Sequence, residues 1–154
     1  MENKRDITPI TISYNAVIKR IDRHTGEVLD VEKIHNLVVT AGKERIRDYI
    51  AGLSTVDFSN IAIGEGTTAS NVADTALETE AVRAVGAKTY PASNQVKYSK
   101  VFSFASGESF SITEAGLVDS AVELGSVLLN RLVFAVKAVD VDTDLSVAIT
   151  ITIN

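Results

Sequence analysis

Leu145-Ser146-Val147-Ala148-Ile149-Thr150-Ile151-Thr152-Ile153 is the stretch on which the fold turns. Leu145, Val147, Ile149, Ile151 and Ile153 fall on one side of an extended chain, and Ser146, Ala148, Thr150 and Thr152 on the other. A helix cannot keep that alternation on one face, because its period is 3.6 residues and not two. The stretch therefore predicts a half-buried strand. Five aliphatic side chains contribute about 1.5–3 kcal/mol each when fully buried, a sum that rivals the net stability of a domain, so this strand is expected in the core.

Working outward, Asp140-Val141-Asp142-Thr143-Asp144 is a polar link, and before it Val127 to Val139 is a long apolar run, expected as a central strand covered on both faces. Val96, Tyr98, Phe102 and Phe104 share a strand face that Lys100 interrupts. Ser106-Gly107-Glu108 reads as a turn, and Phe110 and Ile112 lead to a bend at Glu114-Ala115-Gly116. Val56 to Ile63 is a short apolar strand ended by Gly64-Glu65-Gly66, where one or both glycines are expected at positive φ. Thr67 to Thr79 is a polar loop. Near the N-terminus, Tyr14, Ala16 and Ile18 alternate with polar neighbours. Gly26, in the link before Val28 to Ile34, marks a hairpin. Only one segment has helical spacing: Thr40 as N-cap, then Ile46, Tyr49, Ile50 and Leu53, with Gly52 where a helix stops.

These elements predict a mainly β chain, a compact β-sandwich or irregular β-barrel of about eight strands with one short α-helix. Residues 1–11 are expected to form an extended N-terminal arm, and residues 12–154 a single β-rich domain. The arm is too polar to build a core. It spaces Ile7, Ile10 and Ile12 as anchors, and Pro9 stiffens it, which lowers the entropy lost on docking to a partner. Tyr90 and Tyr98 are candidate interface aromatics, since a phenol ring offers large contact area at low entropic cost.

Composition narrows the chemistry. The chain has 154 residues, no cysteine, no tryptophan and a formal net charge of -5. Without thiols there are no disulfides, thiolate metal sites or cysteine nucleophiles. An acidic chain whose only dense basic cluster is Lys4-Arg5 lacks the lysines and arginines that neutralise phosphates, so nucleic acid is not an expected partner. No run approaches the roughly 18 apolar residues of a membrane span, and no signal-peptide core follows Met1, which leads us to expect synthesis in a cytoplasm and no membrane partner.

The candidate reaction centres are all incomplete. Asp140, Asp142 and Asp144 match the start of a calcium loop, but the sixth position is Leu145 and the twelfth Ile151, where glycine and a bidentate carboxylate are required. Gly64-Glu65-Gly66-Thr67-Thr68 lacks the lysine of a phosphate loop and places Glu65 where an anion would sit. His24, in an expected turn, and His35, at a strand end, are the only histidines, and two scattered imidazoles without thiols do not supply the three or four ligands of a zinc site. No Gly-x-Ser-x-Gly elbow is present. We therefore assign no catalytic, cofactor-binding or metal-binding residue and expect no enzyme activity and no cofactor. Glu78, Glu80 and Arg83 read as a charged, exposed strand face.

Three short signatures occur in fixed order: Asn36-Leu37-Val38-Val39-Thr40-Ala41-Gly42-Lys43, then Asn60-Ile61-Ala62-Ile63-Gly64-Glu65-Gly66-Thr67-Thr68, then Ile112-Thr113-Glu114-Ala115-Gly116-Leu117. With Asp74-Thr75-Ala76-Leu77, Glu80-Ala81-Val82-Arg83 and the threonine-rich last strand, this order resembles small virion structural proteins of tailed bacteriophages, over residues 36–154. The resemblance implies a non-enzymatic virion protein made in the host cytoplasm. Its first form is a capsid decoration or cement protein, for which a β-tulip-like fold is one version, bound to the major capsid protein as a trimer. The alternative is a tail, baseplate or fibre-attachment protein, partnered by tail or baseplate proteins. A host-surface or carbohydrate-binding module is a weaker third reading, since aromatic residues are only 6% of the chain.

Overall fold

The structure, a computed structural model, describes residues 9–35 and 37–154. Its strands are β1 (Ile12–Asp22), β2 (Val28–His35), β3 (Leu37–Val38), β4 (Asn60–Gly64), β5 (Glu80–Val85), β6 (Ala87–Thr89), β7 (Gln95–Phe102), β8 (Phe110–Val118), β9 (Leu128–Val139) and β10 (Thr143–Ile153), and the helix α1 spans Thr40–Ile50. They form two five-stranded antiparallel sheets in the orders β2-β1-β10-β7-β6 and β3-β9-β8-β4-β5. This is a β-sandwich and not a closed barrel. Two strands, β3 and β6, escape the sequence reading because two or three residues are too few to display a period.

The strand β10 lies at the centre of the first sheet, paired along its length with β1 (Ile12↔Ile153 to Asp22↔Thr143) and on its other side with β7. Leu145, Val147 and Ile149 are fully buried. Ile151 is only half-buried and Ile153 is 52% exposed, so the alternation continues past the edge of the core. Across the sandwich these residues meet Ile61 and Ile63 of β4, Ile112, Ala115 and Leu117 of β8, and Leu132 and Phe134 of β9.

The second sheet is covered on both faces over its middle and over the first half of β9, while the second half of β9 exposes Val136. Its inner face meets the first sheet, and a smaller cluster of Val39, Ala62, Leu77, Val118 and Leu128 closes the other. The helix α1 packs against β9. That approach depends on Gly42, where an added Cβ would lie 2.3 Å from the Leu129 carbonyl oxygen. The N-cap is Val39, with no side-chain capping bond, so Thr40 is the first helical residue and not the cap expected from the sequence. Gly52, at φ 70°, ends the helix as expected. A Gly42→Ala substitution should push α1 off the sheet and cost about 1–3 kcal/mol, read as a lower midpoint in urea unfolding.

The bend expected at Glu114-Ala115-Gly116 is instead continuous strand: β8 runs through it, with a register irregularity between Ile112 and Glu114. The edge strands are β2, β6, β3 and β5, while the long apolar β9 and β10 are interior. Short β3 and β6, together with the irregularity in β5's pairing to β4, blunt three of those edges.

Candidate docking surface

Residues of the second and third signatures, with Asp74, converge on one buried ion pair. Glu114 is 0% exposed and stands on the outer face of β8, beneath the loop that joins β4 to β5. Its Oε1 accepts hydrogen bonds from the backbone N–H of Gly66 (3.0 Å) and Thr79 (2.7 Å), and its Oε2 from the N–H of Glu78 (3.0 Å) and from Arg131 Nε (2.8 Å). Arg131, on β9, also donates to Asp74 Oδ2 (3.0 Å) and to the Thr68 carbonyl (3.1 Å). Burial alone would lower the Arg131 pKa, but the hydrogen bonds to Glu114 and Asp74 outweigh it and hold the guanidinium above its ordinary value. The loop is thus fastened to the sheet from both of its ends.

This arrangement gives the signature glycines a different role from the one expected. Neither Gly64 nor Gly66 has positive φ; among the described residues the glycines that do are Gly26, Gly52, Gly107 and Gly125. An added Cβ at Gly66 would sit 2.5 Å from Glu114 Oε1, and one at Gly64 would sit 2.3 Å from the Thr79 carbonyl oxygen. They are glycines because the carboxylate and the returning loop come so close.

The other charged candidates are also occupied. Arg83 holds both oxygens of Glu80 (2.5 and 2.7 Å) and donates to the carbonyls of Ser120 and Val122. The Glu80 and Arg83 side chains are only 9% and 10% exposed and form a brace in place of the solvated face expected of them, whereas Glu78, in the loop before β5, is exposed as expected. Asp140, Asp142 and Asp144 are spent in three directions, on the Asp142 N–H, on His24, and on Arg23 with Ser103. His35 lies exposed on β2. Among the described residues no three His, Asp or Glu groups stand together as a metal site, and no helix is long and apolar enough to cross a membrane.

Among the hollows of the described residues, two adjoin at one end of the sandwich, where the start of β1, the end of β10 and the end of α1 meet. A groove of about 190 Å³ lies there, lined by Ile12 and Tyr14 of β1, Ile46, Tyr49 and Ile50 of α1, Phe58, Leu129, and Ile151 and Ile153 of β10. A second hollow of about 220 Å³ shares Ile151 and Ile153 and adds Tyr90, Ser93, Asn94, Gln95 and Val96. Among the described residues no charged side chain lines either. Ile50 is 85% exposed, and Leu53, just past the helix end, 77%.

Of the residues expected to bind partners, Ile12 and Tyr90 flank this end. Tyr90 is 75% exposed. Tyr98 is buried in the core, with Lys88 over its ring, and so is not an interface aromatic. Ile7 lies outside the described residues. Pro9 and Ile10 are exposed, while Thr11 exchanges two backbone hydrogen bonds with Asn154, so sheet pairing begins one residue before the expected boundary of the arm. The sequence reading missed Ile50, Leu53 and Ile153 as surface residues because their periodicity is that of core positions.

The hydroxyls of Tyr14 and Tyr49 are buried with no hydrogen-bond partner among the described residues. Burial, and then the neighbouring Tyr98 phenol, push Tyr14 up from 10.0 to about 12. A phenol whose pKa is raised by folding supports the fold below its unfolded pKa and loses that contribution as pH rises through its folded value. Alkaline unfolding should therefore set in between pH 10 and about 12, with a loss on the order of 2–3 kcal/mol from this group. Tyr14→Phe should shift the transition to higher pH, followed by phenolate absorbance and circular dichroism together. No family model, curated protein or solved structure matches the chain.

Proposed function

We propose that this chain is a non-enzymatic structural protein of a tailed-phage virion, acting through docking and not through chemistry. The observation that carries the reading is the uncharged apolar end, set on a domain whose buried charges are committed to holding its own loops. The resemblance of the three signatures names the setting. Within it, capsid decoration comes first: a compact sandwich presenting one apolar end suits a protein that attaches to the major capsid protein as a homo-oligomer, in the first instance a trimer. Tail, baseplate or fibre attachment is the second reading, favoured by the helix followed by Ile61-Ala62-Ile63-Gly64-Glu65-Gly66, a combination that also resembles segments of tail-fibre proteins.

The test is location. Particles purified from cells infected by the phage that encodes the chain should contain it in stoichiometric amount, and an electron-microscopy map should place the sandwich on the shell. Density on the tail would select the second reading. Absence of the chain from washed, infectious particles would overturn both.

A further inference from the structure

We propose that the outer face of the first sheet is a second docking surface, separate from the apolar end, and that it takes an extended acidic segment of a partner protein. Strand pairing sets Lys19 of β1 beside Ser146 of β10, Lys97 of β7 beside Thr150, and Lys33 of β2 beside Val17, all turned away from the core and none buried. The helix α1 and the loop between β4 and β5 pack on the other sheet.

Unpaired positive charge is gathered on this face. Among the described residues every arginine is held in an ion pair with a carboxylate, and lysine is so held only at Lys88 and Lys137. Lys19, Lys33 and Lys97 have no such partner there. Three hollows open on this side, of about 340 Å³ beside Lys33 and His35, about 240 Å³ between Lys19 and Lys97, and about 510 Å³ beside Lys100. Among the described residues no carboxylate lines any of them, although the chain holds 20 acidic residues to 15 basic ones. Asp144, which shares the outward side of β10, is taken up by Arg23 and Ser103. Lysines gathered without counter-charge repel one another, and a partner that brings carboxylates relieves the repulsion.

The shape and chemistry of the face select that partner. Between Lys19 and Lys97 the floor is made of short side chains, Ser99, Ser146 and Ala148, which leaves room for an extended chain. Ser146 and Thr150, opposite the two lysines, are four residues apart on β10, about 13 Å at the rise of a strand. Carboxylates at positions i and i+4 of an extended segment therefore meet one lysine each. Phosphate and sulfate are gripped best by the planar fork of arginine, and nucleic-acid bases by an aromatic platform. No arginine, phenylalanine or tyrosine lines the three hollows among the described residues.

Amide NMR of the full chain at low salt, titrated with an oligoglutamate peptide of about twelve residues, tests this. Shifts should concentrate on the outward residues of β1, β7 and β10, and affinity should fall about tenfold or more as sodium chloride is raised from about 20 to about 300 mM. Lys97→Glu should keep the wild-type melting temperature and weaken binding by about fivefold or more. Should that variant fail to fold, Lys97→Gln serves in its place. Lys43→Glu makes the same change of charge at an exposed position on α1 and should leave the affinity within about twofold of wild type.

A chain that shows no shift on this face at millimolar peptide overturns the proposal, as does an equal loss of affinity in Lys43→Glu, which would make net charge the cause. Tighter binding of a heparin fragment or an oligonucleotide of matched charge also overturns it, since the partner is then of another class. Peptide binding on this face by a chain absent from washed particles leaves this inference standing and sinks the virion reading. A chain found on particles that ignores the peptide does the reverse.

Discussion

A chain ending at Asp144 should not fold cooperatively. The deletion removes all but the first two residues of β10, the central strand of the first sheet, and with them the backbone pairing to both β1 and β7. Leu145, Val147 and Ile149 are each fully buried between the sheets, and their loss alone forfeits about 1.5–3 kcal/mol apiece, before the exposed flanks of β1 and β7 are counted. A domain has about 5–15 kcal/mol of net stability to lose. Circular dichroism of the truncated chain should show no cooperative melting transition, and its amide NMR spectrum should collapse to random-coil dispersion. A sharp melt would mean that β2-β1 and β7-β6 can close around the gap, and that the strand is an accessory. Val147→Asp is the single-site version: it buries a lone carboxylate against Ile61 and Ile63 and should give the same outcome in a full-length chain.

Glu114→Ala should cost about 3–5 kcal/mol, the range for leaving one member of a buried ion pair behind. It leaves the Arg131 guanidinium, 3% exposed, with Asp74 and the Thr68 carbonyl but without its most buried partner, and it strands three backbone N–H donors at Gly66, Glu78 and Thr79. Arg131→Met should cost less, because the Glu114 carboxylate keeps those three donors. The asymmetry is the informative part: if the two variants are equally destabilised, the pair acts as a simple charge couple and not as an anchor for the loop. Hydrogen exchange supplies the local reading. In Glu114→Ala the amides of Gly66, Glu78 and Thr79 should lose protection well before the strand amides of β8 and β9 do, as the loop lifts off a sheet that is still formed.

The strands were legible wherever a long segment had one face in the core. Tyr14, Ala16 and Ile18 show their alternation in the chain and are buried in the fold, and Gly26 and Gly52 announce a hairpin and a helix end through the positive φ they adopt. The candidate site was half-legible. Ile12 and Tyr90 were singled out for their chemistry and flank the apolar end, whereas Ile50 and Ile153 carried the same periodicity as the partly buried Ile46 and the buried Ile149 and differ from them only in what lies opposite.

The sequence by itself determined the class of the fold, the single helix, the hairpin and the lack of thiol chemistry, since each follows from composition or from the spacing of near neighbours along the chain. Tertiary structure decided the rest. Glu114 meets Arg131 across 17 residues and Gly66 across 48, so no local pattern marks the one as a buried anchor or the other as the glycine that must make room for it. Burial of an apolar side chain is likewise a property of two surfaces. Periodicity states which face of a strand or helix is apolar, but only the packing of α1 on β9 and of the two sheets on each other leaves Ile50, Leu53 and Ile153 exposed among the described residues.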